Sequence, residues 1–458
     1  MSKQIKKSLN LSFSIFLILL FLLSLTKCII EIPIQSFEFN SLSLKNESIS
    51  VDGNGLLVGK VKLGSNNKEF NLLLDTTSSI SWVAKEGSKD EYPITNHYDP
   101  SKSSTSNLTD NHFEINKFDY HCKGDYYEDQ VQFLEDKKIN LKLGVANETK
   151  INVREIDGMI GLAYNYEDEN LSFLNSLKKS GITDSLSFSI TIDENEAIKK
   201  SIGTMYLGKH ADFSTNETVS CPLKFDKYKD YWAYNIKSFI LSNTANETKS
   251  DKTFQVIFDT ASNVIILPVQ YFIDINNGLS DYECKYATYG ELSALTYALA
   301  CTDENKLPNI KLKINGQKFI LPKEHIFYKL KDVYYSKVIF QGENGIIGTP
   351  FFSLFHTMFD KEKKMLRFYP KKTELIERGE IEEKEDNGNN QPQPEPEPEK
   401  KGFDTTYLYY IIPSAVVVIV IIVVLIILCI RNQRGKHKES FVLGLQQNDE
   451  ENALTNEK

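Results

Sequence analysis

Apolar residues along this chain fall into two long uncharged runs near its ends and many short runs between them. The short runs are bounded by Gly, Asn and other turn formers, the punctuation of a mostly β protein. Two of them stand out by the residues they lead into. Leu72-Leu73-Leu74 runs into Asp75-Thr76-Thr77-Ser78, and Val256-Ile257-Phe258 runs into Asp259-Thr260-Ala261-Ser262. Each run predicts a buried strand that delivers an aspartate onto a tight loop. The Asp-Thr-x-Ser signature therefore occurs twice, 184 residues apart (259 minus 75). Each copy is succeeded by an apolar-apolar-Gly step: Met159-Ile160-Gly161 ends 86 residues after Asp75, and Ile346-Ile347-Gly348 ends 89 residues after Asp259. Matched intervals predict an internal duplication, two similar lobes each contributing one acid.

Singly, such a run marks a strand-to-turn step with a capping aspartate. As a pair it has a chemistry. Loop amides and hydroxyls hold a carboxylate ionised or half-protonated. Two carboxylates about 3 Å apart cannot both ionise, so they share a proton. One then serves as base toward a water while the other polarises a carbonyl, which is peptide hydrolysis without a covalent intermediate.

With these residues the chain resembles the pepsin family of aspartic proteases, from about Leu56 to Tyr369. The resemblance extends to Trp82 in Ser79-Ile80-Ser81-Trp82-Val83, to Tyr98-Asp99-Pro100-Ser101 and to Asp157-Gly158-Met159-Ile160-Gly161-Leu162. It continues through Tyr231-Trp232, Leu307-Pro308-Asn309-Ile310, Ile314-Asn315-Gly316, Phe351-Phe352 and Phe359-Asp360, in the family's order. It implies a mostly β, two-lobed fold with a cleft between an N-terminal lobe over 48–220 and a C-terminal lobe over 221–370. The 23 Tyr and 27 Phe agree with lobes large enough for their own cores. The cleft is expected to take an extended polypeptide by main-chain hydrogen bonding. By the same resemblance Asp75 and Asp259 are the catalytic pair, Thr76, Ser78, Thr260 and Ser262 support them, and the protein is a monomer without cofactor or metal. Cys284 and Cys301 precede Leu307-Pro308-Asn309-Ile310 as the family's second-lobe disulfide pair does, so a bridge is expected there. For Cys122 and Cys221 a bridge and two buried thiols both stay open.

Several positions depart from the family. Both Asp motifs carry Gly at the third position in pepsin-like enzymes; Thr77 and Ala261 stand there instead. A methyl, and still more a β-branched Thr, is expected to crowd the acids. In the hairpin that covers the family's cleft, Lys117 takes the place of a tyrosine, with Phe118 and Tyr120 in place of glycines. Tyr120 could act there only in a shifted register. Thr349 follows Gly348 where many members have Asp. These departures leave two readings side by side: an aspartic endopeptidase working at acidic pH, and a catalytically inactive pepsin-fold protein that binds peptides or a partner in its cleft. A structural surface protein is a third class, disfavoured by the retained acids.

The flanks read from physics alone. Lys3, Lys6 and Lys7 precede an apolar run from Leu11 to Leu25, the pattern of a signal peptide over 1–28. A short pro-like or N-terminal segment, 29–47, comes after it. Tyr407 to Ile430 is 24 residues without a charge, enough to span about 30 Å of hydrocarbon. Arg431, Arg434, Lys436 and Lys438 come next, which places the tail 431–458 in the cytoplasm. The segment 371–406, with its Pro-Glu repeats, is expected to be a stalk. The expected layout is a single-pass type I membrane protein with its catalytic region lumenal or extracellular, in the secretory pathway, a vacuole or lysosome-like compartment, or at the cell surface. Sequons at Asn46, Asn107, Asn147, Asn170, Asn216 and Asn246 fit that route. With 53 basic and 62 acidic residues, a net charge of -9 makes nucleic acid an unsuitable partner.

Overall fold

Burial along the strands explains why they form. Asn309–Ile314, NIKLKI, alternates half-buried and buried positions and lays one face on the core. Lys68–Asp75 ends in four buried residues, so its Leu72-Leu73-Leu74 run is covered on both faces. Phe254–Phe258 buries Val256 and Phe258 but leaves Ile257 half-exposed. In this computed structural model residues 30–37, 42–44, 47–49 and, with short interruptions, 56–379 are described. The expected signal peptide, the span 407–430 and the tail lie outside them. Among the described residues no helix is long and apolar enough to cross a membrane.

The described strands build two large sheets. The first has 13 strands, beginning with Val219–Pro222, Met365–Pro370, Phe355–Asp360, Ser187–Asp193 and Ile202–Leu207. It continues through Ile30–Phe37, Leu56–Leu63, Lys68–Asp75, Gly158–Gly161 and Trp82–Asp90 to three long strands ending at Asn107–Lys117. The second, of 12 strands, is built between Ala233 and Glu377 and includes Phe254–Phe258, Gly345–Ile347 and Ile265–Leu267. Each strand that leads to an Asp takes a parallel partner from the apolar-apolar-Gly step. Gly161 stands opposite Asp75, and Ile347 stands opposite Phe258. The two halves of the sequence thus repeat one local construction.

A single hydrophobic cluster runs from Leu57 to Ile376 and joins both sheets. Trp232, fully buried, sits edge-on to Phe188, Phe359 and Tyr164, and its Nε1–H donates to the Leu162 carbonyl at 2.8 Å. Indole rings combine a large apolar area with one donor that must be satisfied, and here both needs are met. The helix Phe173–Lys179 buries Phe173, Leu174 and Leu177 and is capped by Ser172 Oγ accepting from Asn175 N at 3.2 Å. One boundary shifts from expectation. Leu375 and Ile376 are buried, and Ile376–Glu377 pairs with Gln317–Leu321, so the folded part runs past Lys371 before any stalk begins. Two apolar residues among charges suffice to add this edge strand.

Candidate active site

The two Asp loops are joined by their threonines. Thr76 Oγ1 donates to the Phe258 carbonyl at 2.7 Å and accepts from Thr260 N at 3.1 Å. Thr260 Oγ1 donates to the Leu74 carbonyl at 2.6 Å and accepts from Thr76 N at 3.2 Å. Both threonines are fully buried. A hydroxyl is the smallest group that both donates and accepts, which is why Thr serves at each position. The bonds link residues some 184 positions apart and bring Asp75 and Asp259 into one site.

Around them the backbone is tightly held. Asp75 O accepts from Leu162 N at 2.8 Å, and Asp259 N donates to Ile347 O at 2.9 Å. Within the loops, Ser78 Oγ donates to Ile80 O at 3.1 Å and Ser262 Oγ to Val264 O at 3.0 Å, the same turn in both copies. The glycines of the apolar-apolar-Gly steps lie directly beneath. A Cβ on Gly161 would stand 2.7 Å from Ser78 O, and one on Gly348 would stand 2.2 Å from Val264 O and 2.4 Å from Ser262 O. No side chain fits where the backbones approach this closely. Asp157, fully buried, anchors the start of Gly158–Gly161 by accepting from Asn71 N, Asn96 N and Asn96 Nδ2 at 2.8, 2.7 and 3.1 Å.

The two acids differ in their surroundings. Asp75 is buried and Asp259 half-buried. Each accepts at Oδ1 from the amide two residues on: Thr77 N at 2.7 Å and Ala261 N at 2.8 Å. Thr77 adds its hydroxyl, Oγ1 donating to the same Asp75 Oδ1 at 2.6 Å. Its side chain, expected to crowd the site, is turned onto the carboxylate as a ligand. Ala261 offers only a methyl, which packs against the smaller apolar cluster around Trp82, Phe113, Ile115, Cys122 and Met159.

That cluster ties a hairpin to the site. The strands Asn107–Lys117 and Tyr120–Leu134 pair with Lys117 opposite Tyr120 at the closed end, while Phe113, Ile115 and Tyr126 pack with Trp82. Trp82 is fully buried, and its Nε1 finds no acceptor among the described residues. Thr349 is buried and donates its N–H to Ser262 O at 2.8 Å. The Cys284–Cys301 disulfide is present, joining directly opposed residues of an edge hairpin. Cys122 and Cys221 are buried thiols in separate apolar clusters. Of the sequon asparagines, 107, 147, 170 and 216 are exposed and Asn246 is half-buried; Asn46 lies outside the described residues. An open depression of about 560 Å³ lies on the hairpin's outer part among His112, Glu114, Lys123 and Asp125. His112 Nδ1 is already hydrogen-bonded to Asp125 Oδ1 there at 2.5 Å, Lys123 is ion-paired with Glu148 at 2.7 Å, and the depression lacks the Asp loops.

Two acid loops, locked to each other by buried threonine hydroxyls on a mostly β frame, define the architecture of the paired-aspartate proteins. Residues 57–370 match the family described as Eukaryotic aspartyl protease, and the chain belongs to this family. It is similar to gastricsin of Mus musculus, 24% identical over 324 residues, covering 66% of this chain and 77% of that protein. It is likewise similar to chymosin of Callithrix jacchus, 24% identical over 321 residues with 67% and 79% covered. Human gastricsin gives 24% over 297 residues, with 63% and 73% covered.

Proposed function

We propose that this chain is an aspartic endopeptidase in which Asp75 and Asp259 share one proton and activate a water. The observation that carries the reading is the reciprocal Thr76 and Thr260 hydrogen bonding, which joins the two acid loops and so supports a proton shared between their carboxylates. In the reaction one carboxylate takes a proton from the water as its oxygen attacks the scissile carbonyl, and the other acid protonates the carbonyl oxygen. A carboxyl of the pair then protonates the amide nitrogen while the other takes a proton back from the tetrahedral diol, the C–N bond breaks, an acid and an amine leave, and the pair again holds one proton. Substrates are unfolded or exposed segments of polypeptide, and the optimum is acidic because one carboxyl must stay protonated. The protein works as a monomer held by the span 407–430, with its glycosylated catalytic region on the lumenal or extracellular side. The departures at Thr77, Ala261 and Lys117 favour a second reading, a pepsin-fold protein that binds without cutting.

The test is hydrolysis of an unfolded polypeptide by the full chain between pH 3 and 7, beside Asp75→Asn and Asp259→Asn. Turnover at acidic pH, lost in either variant, supports the peptidase. A silent parent that still retains the polypeptide on a column supports the binding reading instead.

A further inference from the structure

We infer that Thr77 is a positioning residue for the Asp75 carboxylate, a role that rests on the peptidase reading. The residue two positions after each aspartate gives its amide to that aspartate's Oδ1 in both loops. Only in the first loop does the same residue add a hydroxyl, Thr77 Oγ1 to Asp75 Oδ1 at 2.6 Å. The terminal torsion of an aspartate is broad and roughly two-fold, so one hydrogen bond leaves the carboxylate plane room to turn. Two donors from different directions on one oxygen remove that freedom, and with Oδ1 held the place of Oδ2 is set as well. At 2.6 Å the hydroxyl bond is at the short end of the range for O–H···O contacts.

The position suits the task. Thr77 is half-buried, its neighbour Thr76 is fastened across to the Phe258 carbonyl, and its β-branched side chain has few rotamers to choose from. A rigid loop therefore carries a stiff donor. The second loop has no equivalent, because Ala261 has no hydroxyl and its methyl is taken up by the apolar cluster around Trp82. From the residue two positions on, Asp75 Oδ1 thus takes an amide and a hydroxyl, and Asp259 Oδ1 takes an amide. This also accounts for how a β-branched residue is accommodated so near the acids, since its polar branch is hydrogen-bonded to the carboxylate rather than intruding upon it.

The experiment compares kcat and KM for an unfolded polypeptide in the full chain, in Thr77→Ser, Thr77→Val, Thr77→Ala and Asp75→Asn, with a thermal melt of each. Thr77→Val keeps the shape and loses the hydroxyl; Thr77→Ser keeps the hydroxyl and loses the methyl. The expected result is a kcat lower by about ten- to a hundredfold in the Val and Ala variants. KM should stay within about twofold in both, with activity restored in Ser. Thr77→Ala guards against a misfolded Val variant, since it removes atoms without adding any. Val and Ala variants as active as the parent, or a Ser variant as impaired as Val, overturn the inference while leaving the peptidase reading intact. A parent without turnover, indistinguishable from Asp75→Asn, overturns both.

Discussion

The threonine cross-links between the two acid loops make a prediction whose size comes from the geometry. Replacing Thr260 by Val keeps the shape of the side chain, takes the acceptor away from Thr76 N and takes the donor away from the Leu74 carbonyl. Both groups belong to a site where Thr76 and Thr260 are fully buried, so water is not at hand to replace the hydroxyl. A buried polar group deprived of its partner costs about 1–3 kcal/mol, and two such groups cost about 2–6 kcal/mol. Thr76→Val does the same to Thr260 N and the Phe258 carbonyl. Urea unfolding of the parent, the two Val variants, the two Ser variants and the double Val variant measures this directly. The Ser variants should lie within about 1 kcal/mol of the parent, since the hydroxyl survives. Each hydroxyl here bonds to the backbone of the other threonine, so the single losses should couple by about 0.5–3 kcal/mol instead of adding. Val variants that lose less than about 1 kcal/mol, or that add without coupling, would refute the cross-linked loops.

Other expectations are independent of that one. Gly161→Ala and Gly348→Ala drive a Cβ into backbone atoms of the acid loops, so each should lose about 1–3 kcal/mol of stability. Each should also lose turnover by more than tenfold, measured by melting and by hydrolysis, because misplacing reacting groups by about 1 Å costs roughly a hundredfold. Away from the site, burial pushes Asp90 up, but hydrogen bonds from His97, Thr149 and Ser88 together with the His97 charge more than offset it, and its pKa lies below the ordinary 3.8. A carboxyl lowered on folding stabilises the fold above its unfolded pKa, and that contribution is lost as pH falls through the folded value. Asp90→Asn should therefore be less stable than the parent at pH 5 to 7, with the gap closing as pH drops below about 4; a gap that widens toward low pH would contradict the sign.

Much of this site was legible in the residues because its signals are local. An apolar run ending in Asp-Thr-x-Ser announces a strand and its loop, and two copies announce a pair. The parallel partners leading into Gly161 and Gly348 were marked by near-equal intervals. What pattern alone leaves out are choices made by distant neighbours. Whether the Thr77 hydroxyl turns toward Asp75 or away is a single rotamer, decided by an oxygen in the folded loop. The placement of Phe355–Asp360 beside Ser187–Asp193, across more than 160 residues, has no local mark, because register between remote strands is set by packing. The buried Leu375 and Ile376 were hidden by the charged residues around them.

Ile30–Phe37 fills the interval between two strands of the first sheet. It pairs with Ile202–Leu207 on one side and with Leu56–Gly59 on the other. Take it out, and the middle of the sheet becomes two raw edges whose N–H and C=O groups are templates for any passing strand. N-terminal trimming therefore has a floor. Removal of the eight residues Ile30–Phe37 turns an interior seam into an adhesive one. The sheet itself acts as the ruler for how far the N-terminal side can be shortened.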